Sequence, residues 1–306
     1  MGLEPRLPAM RTSATRPADR PEPPPLPGWL TAPAAERPED LPFLAGAALA
    51  SLHGLQGHPA VPQALWRARL ALRAAAACAR WERRRETEAE LRDALHLLRP
   101  GDHPGPAGAI LQLWTRAGAP PLAVLDGARL LPQLSAEART AGQAAGQGAA
   151  APVARAAAVL EAVLTAAPRA EAAALILAEA ALGRSLGWRH LTPLLAPGLS
   201  ARDLRATGPE LQLACHRALV RAAGPAARLA ADLARRAARL QAVAPQLRAR
   251  GADRAVALFL ARDALAPSAL TGIMSDRAAR RLCDRLVELG AVRELTGRPS
   301  FRLYGL

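Results

Sequence analysis

The chain has 306 residues, of which 51% are hydrophobic but only 3% aromatic. That supplies a sizeable core yet excludes one built on aromatic-rich sheets, and it favours close-packed helices of Ala, Leu and Val. No lysine occurs: all 40 basic residues are arginine, and against 26 acidic residues they leave a formal net charge of +14, the footprint of a protein that meets polyanions.

The length exceeds a usual single domain, which predicts two domains and a tail. Three scattered cysteines (Cys78, Cys215, Cys283) without a Cys-x-x-Cys pair argue against a disulfide framework or zinc site. They read as buried reduced thiols of a cytoplasmic protein. No uncharged apolar run reaches about 18 residues, so no membrane span is expected. Prolines occupy the place where a signal peptide would carry its apolar region.

Residues 1–40 are Pro- and Arg-rich, with PEPPPLPG at Pro21–Gly28, and read as a disordered or polyproline tail. From Leu41 the character changes, and PFLAGAALASLHGL predicts one helix, closed by Gly57, Pro59 and Pro62. A longer helical pattern runs from Gln63 through ALWRARLALRAAAACARWERRRETEAELRDALHLL, with Leu65, Leu72 and Ala76 on one face. RPGDHPGPAG (Arg99–Gly108) then breaks the chain. A helix around Ala109–Arg116 follows, and APPLAVLDGARLLPQL holds one short helix. The low-complexity stretch near 141–152 reads as a flexible break. Helices are expected at Val153–Ala166 and Arg169–Leu186, with an irregular stretch from Trp188 to Thr207 and a short turn at SARDLRA. Pro209–Ala223 and Pro225–Val243 each begin with a proline that suits a first helical turn, and Gly251 is a natural C-cap.

The last segment has a different order of parts. Asp253–Leu265 patterns as an amphipathic helix with Val256, Phe259 and Leu260 inward, and Pro267–Ile273 occupies the place of a second helix and turn. Ser275 suits an N-cap and Asp276 the helix dipole. In the next helix Ala278, Leu282, Leu286 and Leu289 recur at core spacing, with Arg277, Arg280, Arg281 and Asp284 on or near the opposite face. Gly290 stops it. Two β-patterned stretches, Ala291–Leu295 and Arg298–Tyr304, flank Thr296-Gly297. This is the order that offers a helix to a major groove and a wing to the adjacent backbone. Arg298 and Arg302 would contact phosphates, while Arg277, Arg280 and Arg281 would face base edges or backbone. From Asp253 to Leu306 nine arginines oppose six acids, so the segment's charge (+3) is a small part of the total.

The stretch TGIMSDRAARRLCDRLVELGAVRELTGRPSFRLYGL is similar to the winged helix that follows the catalytic domain of many Fic-type adenylyltransferases. More widely, FLAGAALA, ALWRARLALRAAAA, ELRDALHLLRPGDHPGPAG, AADLARRAARLQAVAPQLRARGAD and MSDRAARRLCDRLVELGAVRELTGRPSFRLYGL resemble a bacterial, mostly alphaproteobacterial family, domain of unknown function 1403. That resemblance spans nearly everything from Pro42 to Leu306 and implies no known activity. The Fic family's signature is a His-Pro-Phe loop running into Gly-Asn-Gly-Arg. The nearest string here, Asp102-His103-Pro104-Gly105-Pro106-Ala107-Gly108, lacks the Asn and Arg, and its prolines remove backbone donors that a phosphate cradle needs.

Other constellations have plainer readings. Asp102 with His103 would form an acid/base pair only in a concave pocket; otherwise they belong to a rigid Pro/Gly turn. Cys215-His216 reads as a core cysteine beside a surface histidine. His53, His58, His96 and His190 lack ligand spacing, and the charge run from Trp81 to Glu88 reads as a solvated face. Arg235, Arg236 and Arg239 make a basic stripe that reads as an ordinary exposed face.

The expected fold is therefore mainly α: a multi-helix domain at 41–250, then a C-terminal winged helix-turn-helix with a two-stranded wing at 251–306. The leading functional expectation is a DNA-binding or regulatory protein, with double-stranded DNA as partner, a body that senses or forms a homodimer, no membrane association and no cofactor or metal. The competing expectation is an interaction module whose winged helix is structural or partner-binding. A degenerate Fic-like protein is a further alternative.

Overall fold

Alanine-rich helices bury little area per residue, so they reach a stable core only by approaching closely. The computed structural model describes residues 22–31, 37–98, 101–148, 151–297 and 301–306. Its body consists of α1 (Gly28–Thr31), α2 (Leu41–His53), α3 (Gln63–Trp81), α4 (Glu88–His96), α5 (Gly105–Gly118), α6 (Gly127–Leu130), α7 (Ala136–Gly146), α8 (Pro152–Ala166), α9 (Glu171–Ser185), α10 (Leu195–Gly198) and α11 (Gly208–Val243). A C-terminal module follows: α12 (Ala252–Phe259), a 3-10 turn (Pro267–Leu270), α13 (Asp276–Glu288), β1 (Arg293–Glu294) and β2 (Tyr304–Gly305). No helix among the described residues is long and apolar enough to cross a membrane.

α11 is the axis of the body and packs against α2, α8, α10 and α3. Its buried side repeats Leu211, Ala214, Ala218, Ala222, Ala226, Ala230, Leu233, Ala237 and Leu240 at helical spacing. The small residues let neighbours close in. Gly198 at the end of α10 lies against the backbone of Ala218, where a Cβ would collide with the Ala218 carbonyl and Cα. α3 is buried on nearly every side from Leu65 to Ala79 and runs through the centre.

The two helices expected at Pro209 and Pro225 are one helix of 36 residues, with Pro225 inside it. An internal proline costs a helix about 3 kcal/mol, so local preference argues for a break. Tertiary contact opposes that preference. The fully buried Trp66 indole N–H donates to the Ala226 carbonyl (3.0 Å), and Arg73 donates to the Pro225 carbonyl (3.2 Å), which ties α3 to the helix at the proline.

Conversely, the single long pattern expected from Gln63 divides into α3 and α4. Arg83 adopts a left-handed conformation (φ 58°), and Thr87 opens α4 with a capping box in which Thr87 and Glu90 each bond the other's backbone N–H. The Thr-x-x-Glu signature begins inside the charge run and ends at Glu90, just beyond it. That run also pairs internally, Arg84 with Glu82 at 3.1 Å.

The break expected near 141–152 is narrower than the composition implied. Ala141–Gly146 completes α7 and Pro152 begins α8; residues 149–150 lie outside the described set. α7 and α8 pack together, with Gly142 facing Val163 so closely that a Cβ would sit 2.7 Å from its Cγ2. The stretch expected to hold one short helix contains a 3-10 turn, Leu122–Val124, and then α6. The irregular reading of 188–207 contains α10 and a 3-10 turn, Asp203–Arg205.

The tail expected at 1–40 also departs from its composition over 22–31. There Pro23 and Leu30 are buried, α1 contacts α2 and α11, and Trp29 stacks on Phe43 with ring centroids 5.9 Å apart. Residues 1–21 and 32–36 of that expectation lie outside the described residues.

Two buried polar groups stand out in the body. Glu179 of α9 is 1% exposed, and its Oε1 accepts backbone N–H bonds from Leu194 (2.6 Å), Leu195 (2.6 Å) and Ala196 (3.4 Å) at the start of α10. Its Oε2 has no partner among the described residues, and burial pushes the carboxyl up to about 8 against those three donors. His216, expected on the surface, is buried with its Nδ1 unpartnered among the described residues, and desolvation lowers its pKa. The adjacent Cys215 is in the core as expected, as are Cys78 and Cys283, and burial raises each thiol to about 12.

Candidate nucleic-acid interface

α13 is the most amphipathic of the long elements in its sequence pattern. Ser275 caps it, accepting from the Ala278 N–H at 3.4 Å, and Ala279, Leu282, Cys283 and Leu286 form its buried stripe. Arg277, Arg280, Arg281 and Arg285 are all exposed. At its other end Gly290 adopts φ 62°, and Arg239 of α11 donates to the Leu289 carbonyl (3.0 Å). Arg239 thus serves as a C-terminal cap, a role that its position in an exposed basic stripe did not indicate.

The chain around α13 forms a two-stranded antiparallel sheet with one bridge residue beside it. β1 and β2 pair antiparallel with Arg293 opposite Gly305 and Glu294 opposite Tyr304. On the other side Tyr304 pairs with Leu265 through two backbone bonds of 2.9 Å each. The order is therefore helix, bridge residue, 3-10 turn, helix, strand, strand. The strands are shorter than the expected stretches, since the pairing beyond β1 reduces to the Leu295 N–H on the Leu303 carbonyl (2.8 Å) and the Leu303 N–H on the Thr296 hydroxyl (3.3 Å). Arg302, expected on the second strand, precedes it. α12 likewise ends at Phe259, short of the expected Leu265.

Of the five arginines singled out from sequence, the four that fall among the described residues do not form one surface. Arg277 and Arg281 are exposed and make no ion pair among the described residues. Arg280 pairs with Asp276 at 3.0 Å, and Arg302 lies 3.7 Å from Glu294. Arg280 and Arg302 open on a cleft of about 650 Å³ that Asp276, Asp284, His96 and Tyr304 also line, so carboxylates offset the cations there. Burial holds the His96 imidazole below its ordinary value, with Asp263 acting the other way. Arg298 lies outside the described residues.

Arg281 faces a second groove, of about 1050 Å³, between α13 and the segment after α11. Arg248, Arg250, Arg281 and Arg285 line it with Ile273, Met274 and Leu282, and no carboxylate does. Sequence reading missed Arg248 and Arg250 because they fall in the expected body rather than in the C-terminal module.

The module is anchored to the body by charges that were equally invisible. Asp263, placed by periodicity near the end of an amphipathic helix, is buried between Arg69 of α3 and Arg92 of α4. Its Oδ1 is 2.5 Å from Arg69 Nε and its Oδ2 accepts from Arg92 Nε at 2.5 Å. Arg69 also donates to the carbonyls of Asp263 (3.2 Å) and Leu306 (2.9 Å). Burial presses the Arg69 guanidinium below its ordinary range, opposed by Asp263. The apolar core is continuous across the same junction, from Leu65 and Leu70 to Phe259, Leu270 and Leu286.

Asp102 and His103 are exposed and line none of five clefts among the described residues, unlike the concave acid/base site that was required. Residues 99–100 of that loop lie outside the described residues.

Fold and surface together define a mainly helical protein with a small C-terminal antiparallel sheet beside an arginine-bearing helix. The chain belongs to the family described as protein of unknown function (DUF1403), which it matches over residues 14–306. No curated protein matches it.

Proposed function

We propose that residues 252–306 form a winged helix-turn-helix that binds duplex DNA, with α13 as the recognition helix and the helical body as a regulatory or dimerising platform. The carrying observation is that α13 buries its apolar stripe in the continuous core, against the 3-10 turn and β1, while leaving Arg277 and Arg281 exposed and free of ion pairs among the described residues. Buried arginines on that face would instead favour a purely structural role. The Leu265–Tyr304 pairing supports the winged reading, because it puts an extended bridge residue where such a module places a short strand between its first two helices.

The test uses the full chain and labelled duplexes of mixed sequence. Arg277→Ala with Arg281→Ala is expected to weaken binding, each substitution by about 1–3 kcal/mol where the side chain reads a base edge. Unchanged affinity in that variant would count against the reading.

A second reading rests on the Arg69–Asp263–Arg92 contact, which fastens the module to the body as a structural part would be fastened. It predicts no duplex binding by the wild-type chain.

A further inference from the structure

We infer that Arg248 and Arg250, on the segment that joins the body to the C-terminal module, form a phosphate-binding wall opposite α13 that carries the DNA backbone past the recognition helix. The inference rests on the DNA-binding reading and extends its surface to residues outside the module.

Four arginines line one groove. Arg281 and Arg285, one turn apart on α13, stand on one side, and Arg248 and Arg250 on the other. All four are exposed. Arg248, Arg250 and Arg281 make no ion pair among the described residues, while Arg285 pairs with Glu288 at 3.0 Å. No carboxylate lines the groove, in contrast to the Arg280–Arg302 cleft with its Asp276 and Asp284. A chain with one negative charge per nucleotide fits a groove lined with cations along both sides, and its partner commits to duplex DNA because Arg281 belongs both to this groove and to the exposed face of α13.

The wall is held in place. Gly251 follows it with φ 87°, and its Cα packs against Ile273, so that a Cβ would collide with the Ile273 side chain. The 3-10 turn Ala244–Gln246 precedes it and continues directly from α11. Arg248 and Arg250 thus sit on a short segment fixed at both ends rather than on a free linker. The groove does not depend on the α13 N-terminus, whose Ala278 N–H is already bonded to Ser275.

The experiment measures duplex affinity of the full chain by fluorescence anisotropy across a salt series from about 50 to 200 mM. In Arg248→Ala/Arg250→Ala the slope of log affinity against log salt is expected to fall in magnitude by about 1.8, at about 0.9 per phosphate contact, and by the same amount on unrelated duplex sequences. Arg248→Lys/Arg250→Lys retains the charge and should keep most of the slope. Both side chains are exposed, so an unchanged thermal transition is the expected control. Wild-type binding with the same slope in the double alanine variant overturns the groove while leaving α13 as the contact. Absence of salt-dependent binding by the wild type overturns both readings.

Discussion

Glu179 shows how one side chain can make the stability of this body depend on pH. Its carboxyl is buried and rises to about 8 from an ordinary 4.5. Between those values the folded chain holds a proton that the unfolded chain has released. The stabilisation is therefore complete below pH 4.5 and is lost as pH rises through about 8. The slope is at most about 1.4 kcal/mol per pH unit. His216 acts with the opposite sign: burial lowers its pKa below 6.5, so its contribution is present above that value and lost as pH falls. Denaturant unfolding of Glu179→Gln at several pH values should show the fall between pH 5 and 8 flattened relative to wild type. An identical pH profile in both proteins would remove Glu179 from the account. Neither burial was legible locally, since Glu179 occupies an Ala-rich helix whose partners, Leu194 to Ala196, are brought to it only by the turn after α9.

At the scale of elements, α10 illustrates how close packing replaces large side chains. It has only four residues, and it is held at its start by Glu179 and at its end by Gly198 lying on the Ala218 backbone. Gly198→Ala puts a methyl against atoms that cannot rotate away, so α10 must shift from α11. The expected destabilisation is about 1–3 kcal/mol, seen as a lower denaturant midpoint with an unchanged m-value. A midpoint equal to wild type would mean that the contact relaxes freely. The same physics explains which helices could be read in advance. α2, α8 and α9 follow from apolar periodicity with proline or glycine punctuation, and their observed ends fall close to the expected ones. α11 did not follow, because the local effect of Pro225 is overridden by Trp66 and Arg73 reaching across from α3. The division between α3 and α4 had a readable signal in Thr87-x-x-Glu90, which the continuing helical pattern obscured.

For the whole molecule, the decisive feature is that the C-terminal module is built onto the body through buried charge. Asp263→Ala would leave two guanidiniums buried without their counter-ion, and breaking such a contact from one side costs about 3–5 kcal/mol. Replacing all three residues together, as Arg69→Met, Arg92→Met and Asp263→Leu, should recover much of that loss, because apolar groups of similar size need no partner. Thermal unfolding distinguishes the outcomes: if the triple variant is no more stable than Asp263→Ala, packing rather than charge governs the junction. Either variant also reports on function, since α13 and the Arg248–Arg250 wall are set relative to the body by this junction and by the Arg239 cap on Leu289.

Composition and periodicity by themselves determined a mainly helical chain, an Ala- and Leu-built core, buried cysteines and a distinct C-terminal order of helix, turn, helix and paired strands. These are properties of neighbours along the chain, which spacing and capping residues record. Tertiary structure alone decided which charges are free and which are spent. Asp263 meets Arg69 and Arg92 from more than 170 positions away, Arg280 and Arg302 turn toward carboxylates, and Arg248 and Arg250 come to face Arg281 and Arg285. An arginine's sequence context states its charge but not the distance to its nearest carboxylate, and that distance is set only when the helices pack.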